Sequence, residues 1–148
     1  MFNNPLVHIL TPIILAIIVN GIVFGLKFYK NGPRNPLLPG GGIIGFIWIV
    51  IFGLLGYSHY LLYNLRNKPT LGSVCIILFI IFSLCYPFLT GGLKQNNALL
   101  LNLLTLILAF SIGLIVIVES KKAFYYLMPL LLWASYVNYV DAMSTKYL

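Results

Sequence analysis

Five long apolar runs occupy most of this sequence, and they constrain its fold more than any other feature. A helix needs about 20 predominantly apolar residues to cross the hydrocarbon core of a bilayer. By that criterion we predict five transmembrane spans, at residues 5–26, 42–63, 71–89, 98–118 and 123–140. The runs show no alternation of polar and apolar residues, so helices are expected rather than barrel strands. The predicted fold is therefore an all-α membrane protein, a bundle of five transmembrane helices forming a single domain over residues 1–148.

The composition agrees with a membrane solvent. Of the 148 residues, 61% are hydrophobic and 7% are charged, whereas charged residues make up about a quarter of a typical soluble domain. The net charge of +7 arises from nine Lys and Arg residues against two acids. These cations lie mostly between the apolar runs, where they indicate headgroup anchors rather than a nucleic-acid surface. We therefore expect no nucleic-acid partner.

The amino-terminal run lacks a basic leader and is too long for the apolar part of a secretory signal, so we interpret it as a retained first span. The expected location is an integral, multi-pass position in a membrane. That membrane would be the mitochondrial outer membrane or another organelle membrane in a eukaryote, and the cytoplasmic membrane in a bacterium. The excess of cations on one side is too small to fix the orientation.

Polar side chains inside the apolar runs are the first candidates for function, because lipid disfavours them. His8 and His59 have no further ligand at helical spacing, so we predict interhelical hydrogen bonds and no metal site. A phenol in hydrocarbon seeks a hydrogen bond, so four deeply placed tyrosines should face the bundle interior or a cavity. These are Tyr57, Tyr86, Tyr136 and Tyr139.

Asp141 is the one acidic residue within or near the end of an apolar run that stands out as a candidate site. Two interpretations remain open from the residues alone. Its carboxylate is either a polar anchor for a bound ligand, or a helix-end group paired with Lys146.

Three segments resemble motifs of the TspO/MBR family, which comprises translocator proteins, tryptophan-rich sensory proteins and peripheral benzodiazepine receptors. Residues 28–60 match the family pattern WYxxLxKPxWxPPxWxFGPVWxxLYxxMGxxxY without a gap, and residues 129–141 match PYLxWxxFAxxLN in phase. In the third run, Ser83 and Tyr86 take the asparagine and tryptophan places of LNxxW. The resemblance covers nearly the whole chain.

Several family aromatic positions are changed in this sequence. The tryptophans of the family pattern are replaced by Phe28, Leu37, Gly42 and Tyr86, and the asparagine of the fifth-span motif is replaced by Asp141. The first loop is therefore less aromatic than the family pattern. A sterol-binding motif is expected just after the fifth-span motif in the family, but Ala142 stands at its tyrosine place.

The resemblance implies a ligand cavity inside the bundle, capped by the first loop at residues 27–41. Physical reasoning also favours a lid over a plain connector, because the prolines and glycines of that loop permit compact turns. Trp48 and Trp133 would supply flat apolar faces to a planar macrocycle. The predicted ligand-binding residues are Tyr29, Arg34, Leu38, Pro39, Trp48, Phe52, Ser83, Tyr86, Trp133, Tyr136 and Asp141.

The function predicted from this resemblance is a membrane translocator or receptor that binds porphyrins and related hydrophobic ligands. The porphyrin would be a ligand rather than a cofactor, and no cofactor, catalytic residue or metal is predicted. Membrane lipid and a second copy of the chain, forming a homodimer, are the other expected partners. Two alternatives are a photo-oxidative, porphyrin-degrading enzyme and a cholesterol or lipid transport protein; a small pore is a third, disfavoured by the scarcity of intramembrane charge.

Overall fold

The computed structural model describes residues 4–26, 37–90 and 95–144. Within those ranges the chain forms helices and no strand. In chain order the helices are α1 (Pro5–Gly25), α2 (Gly41–Arg66), α3 (Leu71–Thr90), α4 (Gln95–Glu119) and α5 (Lys121–Ser144). The predicted all-α class is therefore confirmed.

Four of these helices are long and apolar enough to cross a membrane, among the residues that the structure describes. The qualifying stretches are Pro5–Val23, Gly41–Leu65, Leu71–Thr90 and Leu99–Glu119. The chain is therefore a multi-pass integral membrane protein. The prediction of five transmembrane spans is confirmed only in part, because α5 is less apolar than the other four. Lys121 and Lys122 at its start and Asp141 near its end lower its hydropathy.

Short connectors with clear capping chemistry force neighbouring helices to run antiparallel. Asn67 ends α2 in the left-handed conformation, with φ of 48°, which asparagine tolerates better than most residues. The Thr70 hydroxyl then accepts a hydrogen bond from the Ser73 N–H at 3.2 Å, capping the start of α3. Ser120 alone separates α4 from α5, and its hydroxyl accepts from the Ala123 N–H at 3.2 Å. These two helices therefore form a tight hairpin.

Helix α2 lies at the centre of the bundle. It packs against α1, α3 and α5, while α4 packs against α3 and α5. The helices bury one face and present many large apolar side chains outward, as expected where lipid is the solvent. The most deeply buried large side chains in the core are Leu55, Leu62, Ile76, Leu127 and Leu130.

A close helix crossing joins α1 and α2. A methyl group built on Gly56 would overlap the backbone carbonyl of His8 and lie 3.0 Å from the Ile9 Cα. Four residues after His8 stands Pro12, which has no N–H to donate to the His8 carbonyl. The glycine therefore lets α2 approach α1 where a proline has already interrupted the hydrogen bonding of α1.

That crossing lies at the end of the bundle where α1, α3 and α5 begin, which we call the histidine end. There the His8 and His59 Nδ1 atoms are 2.8 Å apart in a hydrogen bond between α1 and α2. The interhelical bond predicted for these histidines is confirmed. The Ser58 hydroxyl donates to the Ala123 carbonyl at 3.0 Å, joining α2 to the start of α5.

Glu119 makes a further connection at the histidine end. Its Oε1 accepts a hydrogen bond from the Gly72 N–H at 3.0 Å, so the end of α4 caps the start of α3. A carboxylate is favourable at the positive end of a helix dipole. A Cβ added at Gly72 would lie 2.7 Å from Glu119 Oε2, so the carboxylate would have to shift to admit a side chain there.

Candidate functional site

A cavity of about 170 Å³ lies at the opposite end of the bundle, which we call the cavity end. Helices α3 and α5 finish there, and α2 and α4 begin there. Its apolar wall comes from the segment before α2, from α2 and from α5. The residues of that wall are Leu38, Ile44, Trp48, Trp133, Ala134 and Val137.

The two tryptophans of the chain converge on this cavity from different helices. Trp48 lies near the start of α2 and Trp133 in the second half of α5, and the packing of these helices brings the indoles to one space. Each indole contacts a neighbouring ring one turn along its helix. Trp48 and Phe52 have ring centroids 5.7 Å apart, and Trp133 and Tyr136 are also 5.7 Å apart. Both indoles are half-buried.

A chain of polar side chains forms the other part of the cavity wall, and Asn102 of α4 lies at its centre. The Tyr86 hydroxyl donates to Asn102 Oδ1. The Asn102 Nδ2 in turn donates to Asp141 Oδ2 at 2.6 Å. A carboxylate can only accept, so this bond fixes which way the Asn102 amide points. The polar groups of α3, α4 and α5 thereby satisfy one another inside the bundle.

Asn138 extends the same polar wall along α5. Its Nδ2 donates to the backbone carbonyl of Asn102 at 3.1 Å and to that of Ala134 at 2.9 Å. Thr105, one turn beyond Asn102 on α4, also lines the cavity. Its hydroxyl donates to the Leu101 carbonyl at 2.8 Å. The cavity is therefore amphipathic, with indole faces on one side and amide and hydroxyl groups on the other.

A second, larger space of about 580 Å³ lies on the outer surface between α2 and α5, and we call it the α2–α5 groove. Its lining is apolar apart from the phenol of Tyr136 and the indole of Trp133. The lining residues are Phe46, Ile47, Val50, Ile51, Pro129, Leu132, Trp133 and Tyr136. Trp133 lines both spaces. At the cavity end of the groove, the Tyr136 hydroxyl donates to the Leu37 carbonyl at 2.7 Å.

The structure brings together several of the residues that the sequence nominated for ligand binding. Leu38, Trp48, Tyr86 and Trp133 line the cavity, and Asp141 joins its polar wall through Asn102. Tyr136 lines the groove rather than the cavity. Three further nominated residues that the structure describes line neither space, namely Pro39, Phe52 and Ser83.

Phe52 and Ser83 are instead buried in the packed interior. Phe52 is 4% exposed and supports Trp48 from within α2. Ser83 is 8% exposed. The nominated residues Tyr29 and Arg34, with residues 27–36 of the predicted lid, lie outside the described residues.

The interpretation of the deep tyrosines is wrong for Tyr139. Its side chain is 62% exposed on the outside of the bundle. Helical periodicity explains this, because Leu130, Ala134 and Asn138 form the row of α5 that turns inward, and Tyr139 stands beside that row. Tyr57 does pack internally, with its ring edge-on to Tyr126 at 4.7 Å between centroids.

Sequence reasoning missed Asn102, Thr105 and Asn138, which supply most of the polar wall. The signal was present for Asn102, since it interrupts the apolar run LLLNLLTLIL with an amide. An intramembrane amide needs a partner on another helix and usually faces the bundle interior.

The sequence of the chain is similar to those of known membrane proteins. Residues 8–145 match the TspO/MBR family. The Tryptophan-rich protein TspO of Bacillus cereus is 29% identical over 143 residues, covering 85% of this chain and 92% of that protein. The Uncharacterized membrane protein YtaB of Bacillus subtilis is 26% identical over 118 residues, covering 78% of this chain and 76% of that protein.

Proposed function

Because the chain belongs to the TspO/MBR family, we propose that it is a membrane receptor or carrier for porphyrins and similar flat, amphipathic molecules. One observation carries the proposal: Trp48 and Trp133, from helices far apart in sequence, line a single cavity with a polar wall. Ligand sites of this kind combine mostly apolar and aromatic walls with a few oriented polar groups.

The chemistry of the cavity fits a flat apolar ring with polar substituents. Indole faces offer broad, polarisable surfaces against which a macrocycle can stack. The amides of Asn102 and Asn138 and the phenol of Tyr86 would orient its polar edge. Asp141 would repel an anionic substituent, so we place the carboxylates of a porphyrin toward the first loop. The first loop carries the cations Lys30 and Arg34, and these are the predicted partners of the porphyrin carboxylates.

The size of the cavity adds a requirement. Its volume of about 170 Å³ is below the range of about 300–1,000 Å³ that is usual for ligand pockets. A tetrapyrrole would therefore need at least one wall of the cavity to move. The side chains that separate the cavity from the larger α2–α5 groove are the natural candidates, because space already exists behind them.

We also propose that α5 crosses the membrane as a fifth span. It contains 24 residues, which is long enough at a rise of about 1.5 Å per residue. Its polar residues Asn138 and Asp141 bond to Asn102 of α4 rather than facing lipid. The low hydropathy of α5 therefore comes partly from these inward polar residues and partly from the lysines at its start, while its outward face carries apolar residues such as Leu132, which is 65% exposed.

A fluorescence titration tests the binding site. Purified full-length protein in detergent would be titrated with protoporphyrin IX in the dark while tryptophan emission is recorded. We expect saturable quenching, and we expect Trp48→Phe or Trp133→Phe, made singly so that one indole remains, to raise the Kd about three- to tenfold. Tyr125→Phe is the matched control, because Tyr125 lies at the histidine end and is 70% exposed.

The result can contradict the proposal in two ways. Quenching that does not saturate would remove porphyrin binding. Saturable quenching with the wild-type Kd in both tryptophan variants would retain a ligand but remove it from this cavity.

A further inference from the structure

The indole of Trp133 stands between two spaces that differ in character. On one side is the amphipathic cavity of about 170 Å³, and on the other is the α2–α5 groove of about 580 Å³. Trp133 is common to the two linings. A single side chain therefore forms part of the wall between the interior of the bundle and its outer surface.

With α5 crossing the membrane as proposed above, the groove would face the hydrocarbon of the bilayer. Phe46 is 66% exposed, Leu132 is 65% exposed and Val50 is 44% exposed, and all three line the groove. These apolar side chains lie on helices whose outward faces contact acyl chains in a membrane. A hydrophobic molecule dissolved in the bilayer would therefore meet the groove before it could reach the polar wall of the cavity.

The surroundings of Trp133 leave its indole room to move. The groove provides open space on its outer side, and Ala134, the next residue on α5, gives only a methyl group to the cavity wall. One turn earlier, Pro129 cannot donate a backbone hydrogen bond to the Tyr125 carbonyl, which weakens α5 locally. By contrast, the bond from the Tyr136 hydroxyl to the Leu37 carbonyl ties α5 to the segment before α2 at the end of the bundle.

We propose that ligands reach the cavity sideways from the bilayer, between α2 and α5, with the Trp133 indole as the gate. The proposal rests on the ligand-binding function above and deepens it: the ligand class is a lipid-soluble amphiphile that partitions into the membrane first. Outward rotation of the indole would join the cavity to the groove. That motion would also supply the extra volume that a tetrapyrrole needs.

The chain itself provides the reporters for the first test, since it contains two tryptophans. Trp48→Phe leaves Trp133 as the sole indole, and Trp133→Phe leaves Trp48. Each variant would be reconstituted in phosphatidylcholine bilayers with and without bromine on the acyl chains, which quenches indoles on contact. The gate predicts a larger fractional loss of emission from Trp133 than from Trp48. Equal or smaller loss from Trp133 would overturn it, whether or not any porphyrin binds.

The second test narrows the groove by mutation and measures how fast the ligand binds and leaves. Val50→Phe adds bulk in the groove without touching the cavity lining, and Val74→Phe is the matched control on α3, since Val74 is 42% exposed. Binding of protoporphyrin IX to protein in bilayer nanodiscs would be followed by stopped-flow fluorescence. We expect Val50→Phe to slow association and dissociation together, each about fivefold or more relative to Val74→Phe, with little change in Kd.

The outcomes separate the route from the binding site. Equal association rates in the two valine variants, with saturable quenching in both, would overturn the route and leave the proposed function intact. A loss of affinity caused only by faster dissociation would overturn the route too, because it would place the ligand in the groove itself. If wild-type protein binds no protoporphyrin IX, the proposed function fails and the bromolipid comparison alone decides whether Trp133 faces the bilayer.

Discussion

The two ends of the bundle differ in how their helices are joined to one another. At the histidine end the polar contacts between helices each join one helix directly to another, as in the bond between His8 and His59 or that from Gly72 to Glu119. At the cavity end the polar groups of three helices are linked in series around a void, with Asn102 in the middle. The histidine end is closely packed, and the cavity end keeps an internal space.

This difference predicts which end of the bundle determines stability and which end determines ligand binding. Dispersion contacts and close packing stabilise a membrane bundle, since burial from water contributes little between helices in lipid. The histidine end, with its close crossing at Gly56, should therefore hold the helices in place. The cavity end gives up packing around the space between Trp48 and Trp133. Changes at the first end should lower stability, and changes at the second should alter ligand binding.

The largest effect is expected from Gly56→Ala. The added methyl group would overlap the His8 carbonyl and force α1 away from α2, so we expect a loss of about 1–3 kcal/mol in the free energy of unfolding, as for other overpacked interiors. Gly45→Ala is the control. A Cβ added at Gly45 would have no described atom within 4 Å, apart from its chain neighbours and the nearby backbone of its own helix. Denaturation in mixed detergent would measure both variants. Equal stability of the two would refute the role of the crossing.

The next effect is expected from Glu119→Ala at the same end. It removes the acceptor of the Gly72 N–H at the start of α3, which should cost about 1–3 kcal/mol because a buried donor is left without its partner. Glu119→Gln keeps an oxygen acceptor at that position and should lose less. The same denaturation assay applies. Both variants remove the negative charge, so an equal loss in the two would show that the charge, not the capping bond, is what matters.

The smallest effect on stability, and the clearest effect on binding, is expected from Asn102→Leu. It removes the bonds to Tyr86 and Asp141, and hydrogen bonds between membrane helices contribute about 0.6 kcal/mol on average. We expect the Kd for protoporphyrin IX to rise about tenfold, equivalent to about 1.4 kcal/mol. His59→Phe is the comparison at the other end, and it should lower stability without changing the Kd. If His59→Phe weakens porphyrin binding as much as Asn102→Leu does, the proposed division between the ends is wrong.

The helical class and the approximate places of the helices followed from the sequence, because long apolar runs leave a chain few alternatives in lipid. The gap between the predicted spans 98–118 and 123–140 is too short for anything but antiparallel neighbours, and α4 and α5 do form a hairpin around Ser120. The lower hydropathy of α5 compared with the other four helices was not predicted. A span that turns polar residues inward has a lower mean hydropathy, and a single sequence does not say which face they occupy.

The cavity was only partly predictable. Trp48 and Trp133 were nominated through motif resemblance, and both line it. The amides of Asn102 and Asn138 were not nominated, because their importance depends on how α4 is rotated against α5, which only packing determines. Phe52 was in phase with the same motif as Trp48, yet it is buried in the core. The two rings lie one turn apart on the same side of α2, so the spacing predicts their common face but not which of them meets the cavity.

The one-residue link at Ser120 has a consequence for how the protein is made. For α5 to cross as proposed, Asn138 and Asp141 must enter hydrocarbon, which is costly for a helix inserted on its own. The ribosome completes α4 just before α5, so Asn102 is already at hand to bond with both residues. Membrane insertion of α5 is therefore expected to depend on α4, so that the two helices enter the bilayer as a unit during biogenesis.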